Sequence, residues 1–201
     1  METYKNILLY NKSWAKTKKN NDKDYFKKLS AGQQPNYLWI GCSDSRVPAE
    51  EITGANPGDL FVHRNIANMA KADDLNFNSV LKYAVNFLRV KHIVICGHHG
   101  CGGVNAALNN LQDEHLTPWV KDIHKLYRTH ILEFQSMSNE EHRLNFLAEL
   151  NVLNQVDELS RNPIIQNAWK NKQSLFIHGW IFNLRTGEID SIKEVNSPTL
   201  F

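Results

Sequence analysis

The amino-acid sequence predicts an α/β fold with a mainly parallel central sheet, flanking helices and an antiparallel strand at one edge. Short apolar runs rich in β-branched and aromatic residues alternate with longer segments of helical periodicity. Strands that alternate with helices favour a parallel sheet, whose last strand can be antiparallel at the edge. The chain has 201 residues, of which 42% are hydrophobic and 22% charged, so one domain with a substantial core is expected.

The first 34 residues are predicted to form a helical arm. Tyr4, Ile7, Leu8 and Trp14 have the spacing of an amphipathic helix, and a second helix is expected over 22–29. The basic run at 16–19 is soon followed by acidic residues, which favours the solvated end of a helix over a binding patch. Because a monomer need not cover the apolar faces of these helices, we expect the arm to pack on a neighbouring subunit.

Residues 35–201 are predicted to form the α/β core. A first strand is expected over 37–41, and a second over 59–63 after an Asn-Pro-Gly turn. Apolar residues at helical spacing over 75–90 indicate a crossover helix before a third strand at 92–96. The later part of the core is predicted to contain helices over 103–111, 118–134 and 139–160, and then two strands over 174–182 and 188–195.

Three candidate metal ligands lie on the polar loops that follow the first and third predicted strands. Cys42 belongs to the first loop, and His98 and Cys101 belong to the second. In an open α/β sheet, ligands bind beyond the carboxyl ends of the strands, where both loops are expected. Two thiolates and one imidazole could hold a Zn²⁺ ion and leave a fourth position for water or substrate, as in a catalytic zinc site.

Other uses of these cysteines remain open at this point. A structural zinc site normally has four protein ligands, often in closely spaced pairs. Here only His98 and Cys101 are close in sequence, Cys42 is far upstream, and His99 is expected outside the ligand set. An odd count of three cysteines disfavours a disulfide framework. Cys96 lies within an apolar strand and is expected to be a buried thiol that binds no metal. Redox chemistry is a further alternative.

Composition and charge disfavour several kinds of partner. The net charge of +2 gives no strong electrostatic reason to bind nucleic acid or an anionic membrane. No apolar run approaches the roughly 18 residues that span a bilayer. The N-terminal residues lack the layout of a secretory signal, and thiols kept reduced for metal binding agree with a cytoplasmic location.

The motif Cys42-Ser43-Asp44-Ser45-Arg46, followed by His98-x-x-Cys101-Gly102, strongly resembles the β-class carbonic anhydrases. The likeness extends through Gly58-Asp59-Leu60-Phe61, Arg64-Asn65 and His178-Gly179-Trp180, and so spans most of the chain. It implies a single domain over 1–201, with an N-terminal helical arm at 1–34 and a zinc-binding α/β core at 35–201. It also implies a zinc lyase that interconverts carbon dioxide and bicarbonate, built as a homodimer or homotetramer.

The same resemblance assigns the zinc ligands to Cys42, His98 and Cys101 and the catalytic pair to Asp44 and Arg46. Zinc would make hydroxide available near neutral pH. Asp44 would accept a hydrogen bond from zinc-bound hydroxide and orient it, and Arg46 would hold Asp44 by a bidentate contact. If that contact broke, Asp44 would become a fourth zinc ligand and close the site, as in part of the family. Without the neighbouring ligand, the two residues would be a surface ion pair worth little.

One branch of the family has a non-catalytic bicarbonate pocket near the active site, and Trp39 and Arg64 match two of its positions. The fork of an arginine suits an anion with paired oxygens. The branch usually has tyrosine where this sequence has Phe182, which cannot donate a hydroxyl hydrogen bond. We therefore expect weaker bicarbonate inhibition than a tyrosine would give. The alternative is that Trp39 packs in the core and Arg64 pairs with a carboxylate.

Two rival functions remain. A relative on the same scaffold could hydrolyse carbonyl sulfide or carbon disulfide, which are linear electrophiles like carbon dioxide. A non-catalytic bicarbonate-binding or structural zinc protein is the other rival, but such a protein would have no use for the pair formed by Asp44 and Arg46.

Overall fold

The computed structural model describes residues 3–197, which fall into two compact units with the boundary between Gln34 and Pro35. The first unit consists of helices α1 (Tyr4–Asn21) and α2 (Tyr25–Ser30). Trp14 of α1 packs edge-on against Phe26 of α2, with ring centroids 5.7 Å apart. The basic run of 16–19 lies near the end of α1, as expected. Several large apolar side chains of α1 are exposed: Tyr4, Ile7, Leu8, Leu9 and Tyr10.

The second unit is built on a five-stranded sheet. Its strands are β1 (Tyr37–Cys42), β2 (Leu60–Asn65), β3 (His92–His98), β4 (Phe176–Phe182) and β5 (Ile189–Val195). In space they follow the order β2-β1-β3-β4-β5. The first four strands are parallel, and β5 pairs antiparallel with β4. The predicted α/β class, including its antiparallel edge strand, is therefore confirmed.

Helices pack against both faces of the sheet. The helices of this unit are α3 (Ala49–Thr53), α4 (Leu75–Lys82), α5 (Gly102–Leu108), α6 (Leu116–Thr129), α7 (Ile131–Gln135), α8 (Glu140–Ser160) and α9 (Pro163–Lys170). Leu38 and Ile40 of β1 pack in the main core with residues of α4, α8 and α9, whereas Trp39 packs in a smaller cluster on the opposite face. Burial on both faces agrees with the nearly continuous apolar character of the strand, which is typical of a parallel sheet.

A third apolar cluster surrounds the sulfur atoms of the candidate site. It contains Cys42 and Cys101 together with residues of α5, α6, α7 and α8. Cys96, in contrast, is fully buried in the cluster around Trp39, as expected for a cysteine that binds no metal. No helix among residues 3–197 is both long enough and apolar enough to cross a membrane.

Two predicted helices differ from those observed. The helix expected over 75–90 is α-helical to Lys82, continues as a π-helical turn over Tyr83–Leu88 and ends at Arg89, which is in the left-handed region with φ of 58°. The single helix expected over 118–134 is divided into α6 and α7, because His130 leaves the helical conformation with φ of −102° and ψ of 20°.

Helices α3 and α9 were absent from the sequence prediction. The side chain of Asn162 accepts a hydrogen bond from the N–H of Ile164, and Pro163 occupies the first turn of α9. Both features are ordinary signals for the start of a helix, and they make this helix predictable in principle.

Candidate metal centre

The three candidate metal ligands meet where β1 and β3 end side by side. Cys42 is the last residue of β1, and His98 is the last residue of β3. Cys101 follows a turn at Gly100, where φ is 65°, and directly precedes α5. The two Sγ atoms and a ring nitrogen of His98 all lie within 4.8 Å of one another. The fold therefore brings together residues that are 59 positions apart in the chain.

The geometry of this cluster fits a zinc ion. The Sγ atoms of Cys42 and Cys101 are 3.8 Å apart, which is about the separation of two thiolates on a tetrahedral zinc with Zn–S near 2.3 Å. The same distance excludes a disulfide. Nδ1 of His98 lies 2.9 Å from the carbonyl oxygen of His99, which makes Nδ1 the donor and leaves the lone pair of Nε2 free to coordinate. This Nε2 is buried and has no hydrogen-bond partner in residues 3–197.

The two thiols shift each other's pKa. The pKa of Cys42 is lowered, chiefly because its sulfur accepts a hydrogen bond from Cys101. The pKa of Cys101 is raised by the same contact and by its burial. Main-chain N–H groups act in the lowering direction on both thiols: those of Asp44 and Ala67 lower the pKa of Cys42, and those of Gly103 and Val104 oppose the rise in the pKa of Cys101. A divalent cation between the sulfurs would remove the proton that they now share.

Asp44 and Arg46 form an ion pair at the edge of this cluster. Nε of Arg46 lies 3.0 Å from Oδ1 of Asp44, and its second terminal nitrogen lies 2.7 Å from Oδ2. The Arg46 N–H also donates to Oδ1 at 2.9 Å. These contacts hold the pKa of the Asp44 carboxyl well below its usual range. Oδ2 of the same carboxylate is 3.7 Å from Nε2 of His98, so an ionised oxygen lies directly beside the candidate ligands.

Helix α8 supplies two polar side chains to the loop that carries His98 and Cys101. Oδ1 of Asn145 accepts from the N–H of Gly100 at 3.0 Å. Glu149, one turn further along, lies 3.0 Å from Nε2 of His99. His99 therefore turns away from the metal cluster toward α8, in agreement with its expected position outside the ligand set. Sequence reasoning missed Asn145 and Glu149, although their i, i+4 spacing on a predicted helix places them on one face.

The three residues proposed for a bicarbonate pocket are packed or hydrogen-bonded within the protein. Trp39 is 1% exposed and Phe182 is 6% exposed, and both pack in the same apolar cluster. Arg64 donates from Nε to the carbonyl oxygen of Cys42 at 2.9 Å and from a terminal nitrogen to that of Asp44 at 2.6 Å. Arg64 is thus engaged by main-chain oxygens, and within residues 3–197 it forms no ion pair with a carboxylate, which the alternative interpretation expected.

Comparisons with known proteins agree with this geometry. The family model described as carbonic anhydrase matches residues 37–189. A carbonic anhydrase of Emericella nidulans is 45% identical over 186 residues, which are 92% of this chain and 82% of that protein. The carbonic anhydrase of Saccharomyces cerevisiae is 30% identical and covers 96% of this chain and 90% of its own length.

Solved structures show the same likeness. A crystal structure from Sordaria macrospora, described as a tetrameric β-carbonic anhydrase, superposes with a TM-score of 0.92 at 39% identity and covers 96% of this chain and 98% of that one. The Coccomyxa β-carbonic anhydrase in complex with acetazolamide also gives a TM-score of 0.92, at 32% identity, and covers 98% and 90% of the two chains. The matched residues include both loops of the Cys42, His98 and Cys101 cluster, and the chain belongs to the β-class carbonic anhydrases.

Proposed function

We propose that this chain catalyses the reversible hydration of carbon dioxide to bicarbonate and a proton, with Zn²⁺ held by Cys42, His98 and Cys101. The observation that carries the proposal is the buried convergence of these three ligands beside the ionised carboxylate of Asp44. Zinc bound in such a site supplies hydroxide near neutral pH by lowering the pKa of a coordinated water.

Asp44 is proposed to orient the nucleophile. An ionised carboxylate can only accept hydrogen bonds. Asp44 would therefore accept a hydrogen bond from the attacking oxygen and direct a lone pair of that oxygen toward carbon dioxide. Two of the three contacts that fix the carboxylate come from the Arg46 guanidinium, and the third comes from the Arg46 backbone. Arg46 is therefore proposed to keep Asp44 in position and ionised.

The contact between Asp44 and Arg46 is also proposed to be the gate of the site. For Asp44 to become a fourth zinc ligand, its carboxylate would have to leave the Arg46 guanidinium. The terminal nitrogen of Arg46 that binds Oδ2 also lies 3.4 Å from the carbonyl oxygen of Gly100. Through this contact, the loop carrying Cys101 would influence the balance between the open and closed arrangements.

A homodimer or homotetramer in the cytoplasm is the proposed form of the protein. The exposed apolar side chains of α1 support association, because five large ones are each more than half exposed in this single chain. Free thiols at the proposed zinc site agree with a reducing compartment.

Stopped-flow measurement of carbon dioxide hydration, combined with metal analysis, tests the proposal. One zinc per chain and rapid hydration are expected, and hydration should be lost when zinc is removed. Full activity in zinc-free protein would refute the metal assignment. Parallel assays on carbonyl sulfide and carbon disulfide separate this activity from its closest rival, and zinc-replete protein without activity on any of the three gases would indicate a structural site.

A further inference from the structure

Two successive residues next to the metal cluster adopt an unfavourable backbone conformation. Ala67 has φ of 63° and ψ of 30°, and Asn68 has φ of 49°. The left-handed region is costly for alanine, because its Cβ crowds the following carbonyl oxygen. Asn68 is 1% exposed, and its Nδ2 has no hydrogen-bond partner in the described part of the chain. Such strain persists only where the surroundings impose it, and it concentrates at functional sites.

The conformation of Ala67 has a direct consequence for a metal ligand. Ala67 packs in the same buried cluster as Cys42 and Cys101. It is fully buried against the start of α5, where a Cβ on Gly103 would lie 3.1 Å from the Cβ of Ala67 and 3.4 Å from its nitrogen. The Ala67 N–H also helps to lower the pKa of the Cys42 thiol. The left-handed turn is therefore part of the wall around both sulfurs.

A buried pair of amides on α8 holds this turn. Nδ2 of Asn151 donates to the carbonyl oxygen of Ala67 at 3.0 Å. Gln155, one turn along, donates from Nε2 to Oδ1 of Asn151 at 3.2 Å and accepts from the N–H of Ala70 at 2.8 Å. Asn151 is 1% exposed and Gln155 is 3% exposed. Asn65 makes two hydrogen bonds to the main chain of Met69, at the other end of the turn. Asn151 is the side chain that bonds to Ala67 itself.

We propose that Asn151, supported by Gln155, is a positioning residue for the metal centre: it fixes Ala67 in the left-handed conformation and so holds the Ala67 main chain against Cys42 in the buried cluster around the sulfurs. The proposal rests on the proposed function, because it takes Cys42 as a zinc ligand. Outer-shell partners of this kind orient ligands and tune the metal that they bind.

An Ala67 N–H held against the sulfur would act on the thiolate. A hydrogen bond to sulfur lowers the energy of its lone pairs and weakens its donation to the metal. Two thiolates already cancel the formal charge of Zn²⁺, so a weaker donor leaves the metal more able to polarise a bound water. Asn151 would influence the reaction in this way without touching the substrate.

Cobalt substitution provides the test. The Asn151→Leu variant removes the donor to Ala67 at similar side-chain volume. In Co²⁺-loaded protein we expect the thiolate-to-cobalt charge-transfer band to move to longer wavelength, because the sulfur lone pairs rise in energy. The sulfur would become a better donor but would lose the main chain that orients it. Loss of orientation by outer-shell partners typically dominates, so zinc affinity, measured by competition with a chromophoric chelator, should fall roughly 10- to 100-fold.

A matched control separates this role from a loss of stability. Gln173 is also buried and donates from its side-chain amide to a main-chain carbonyl, that of Val85 at 3.1 Å. Val85 belongs to the main core and not to the cluster around the sulfurs. The Gln173→Leu variant should be destabilised in the same manner but should leave the cobalt band and the zinc affinity unchanged. An equal band shift in both variants would overturn the proposal.

Glycine at position 67 gives a rescue experiment. Glycine adopts the left-handed conformation without strain, so a turn with Ala67→Gly depends less on Asn151. We expect Asn151→Leu to shift the cobalt band less in an Ala67→Gly background than in the wild type. An undiminished shift would overturn the proposal. If Asn151→Leu fails to fold, Gln155→Met should show a smaller shift of the cobalt band in the same direction. The absence of a shift in that variant would also overturn the proposal.

The result also distinguishes this inference from the proposed function. If the wild-type protein shows no thiolate-to-cobalt band, Cys42 is not a ligand and the proposed function fails. If the wild type has the band but the Asn151 and Gln155 variants do not alter it, the metal assignment stands and the role of Asn151 is refuted.

Discussion

Replacement of Gly103 by alanine should damage the metal centre, whereas the same replacement at Gly102 should not. A Cβ on Gly103 would lie 2.5 Å from Cγ2 of Ile66 and 3.1 Å from the Cβ of Ala67. Carbon atoms prefer separations of about 3.5–4.0 Å, so the first contact is about 1 Å too short. Ile66 is 37% exposed and can move outward, but Ala67 is fully buried in the strained turn and cannot.

We expect Gly103→Ala to lower the free energy of unfolding by about 1–3 kcal/mol, as overpacking of a core does. In a chain of this size, each kcal/mol corresponds to a fall of about 2–4 °C in Tm. Zinc affinity should fall as well, because displacement of Ala67 would disturb the buried cluster that holds Cys42 and Cys101.

Gly102 offers the control, since a Cβ there would meet no atom within 4 Å. Gly102 lies in the first turn of α5, and its φ is not in the left-handed region. Gly102→Ala should therefore be neutral or stabilising by about 0.5–1 kcal/mol. Thermal unfolding followed by circular dichroism, together with chelator competition for zinc, measures both effects. The reasoning fails if the two variants unfold at the same temperature, or if Gly103→Ala binds zinc as tightly as the wild type.

Further predictions concern the ligands, the gate and the pH profile. Replacing Cys42, His98 or Cys101 should abolish stoichiometric zinc by metal analysis, whereas Cys96→Ala should retain it, because burial raises the pKa of the Cys96 thiol to about 12. Asp44→Asn should keep zinc but slow hydration about 100-fold or more, and near-normal turnover would remove Asp44 from the mechanism. The kcat/KM for hydration should rise from about pH 6.5 to about 9. Arg46 keeps Asp44 ionised throughout this range, so the rise belongs to a group other than Asp44. A flat profile would contradict the gate. Added bicarbonate should inhibit a Phe182→Tyr variant more than the wild type, and equal sensitivity would refute the role given to Phe182.

Much of the fold was predictable because its signals are local. The buried strands are apolar runs of β-branched and aromatic residues. The candidate ligands Cys42, His98 and Cys101 lie among glycine and polar residues at strand ends or just beyond them. The meeting of these loops follows from a general rule for parallel sheets. The break at His130 was missed because the apolar spacing continues across it, so periodicity alone does not report the change of conformation there.

The outer layer of the site was not predictable from the sequence. Asn151 and Ala67 are 84 positions apart, and no local pattern indicates which turn a polar residue of α8 will meet. The left-handed turn itself has no sequence signal, because alanine is not a residue that favours positive φ. The pairing of Arg64 with two main-chain carbonyls is equally non-local, since it depends on the register between β1 and β2, in which Arg64 lies beside Gly41.

These non-local contacts bear on how a site with two thiolates could activate water. Cys42 and Cys101 would cancel the formal charge of the zinc and raise the pKa of its water relative to a site with three histidines. Four backbone N–H groups act to lower the pKa values of the two thiols, and so would withdraw part of that charge again. Each of these donors depends on a local feature of the fold: the end of β1, the left-handed turn at Ala67, and the start of α5. The close packing of Gly103 against Ala67 joins the last two features, so a change at either small residue should reach both sulfurs.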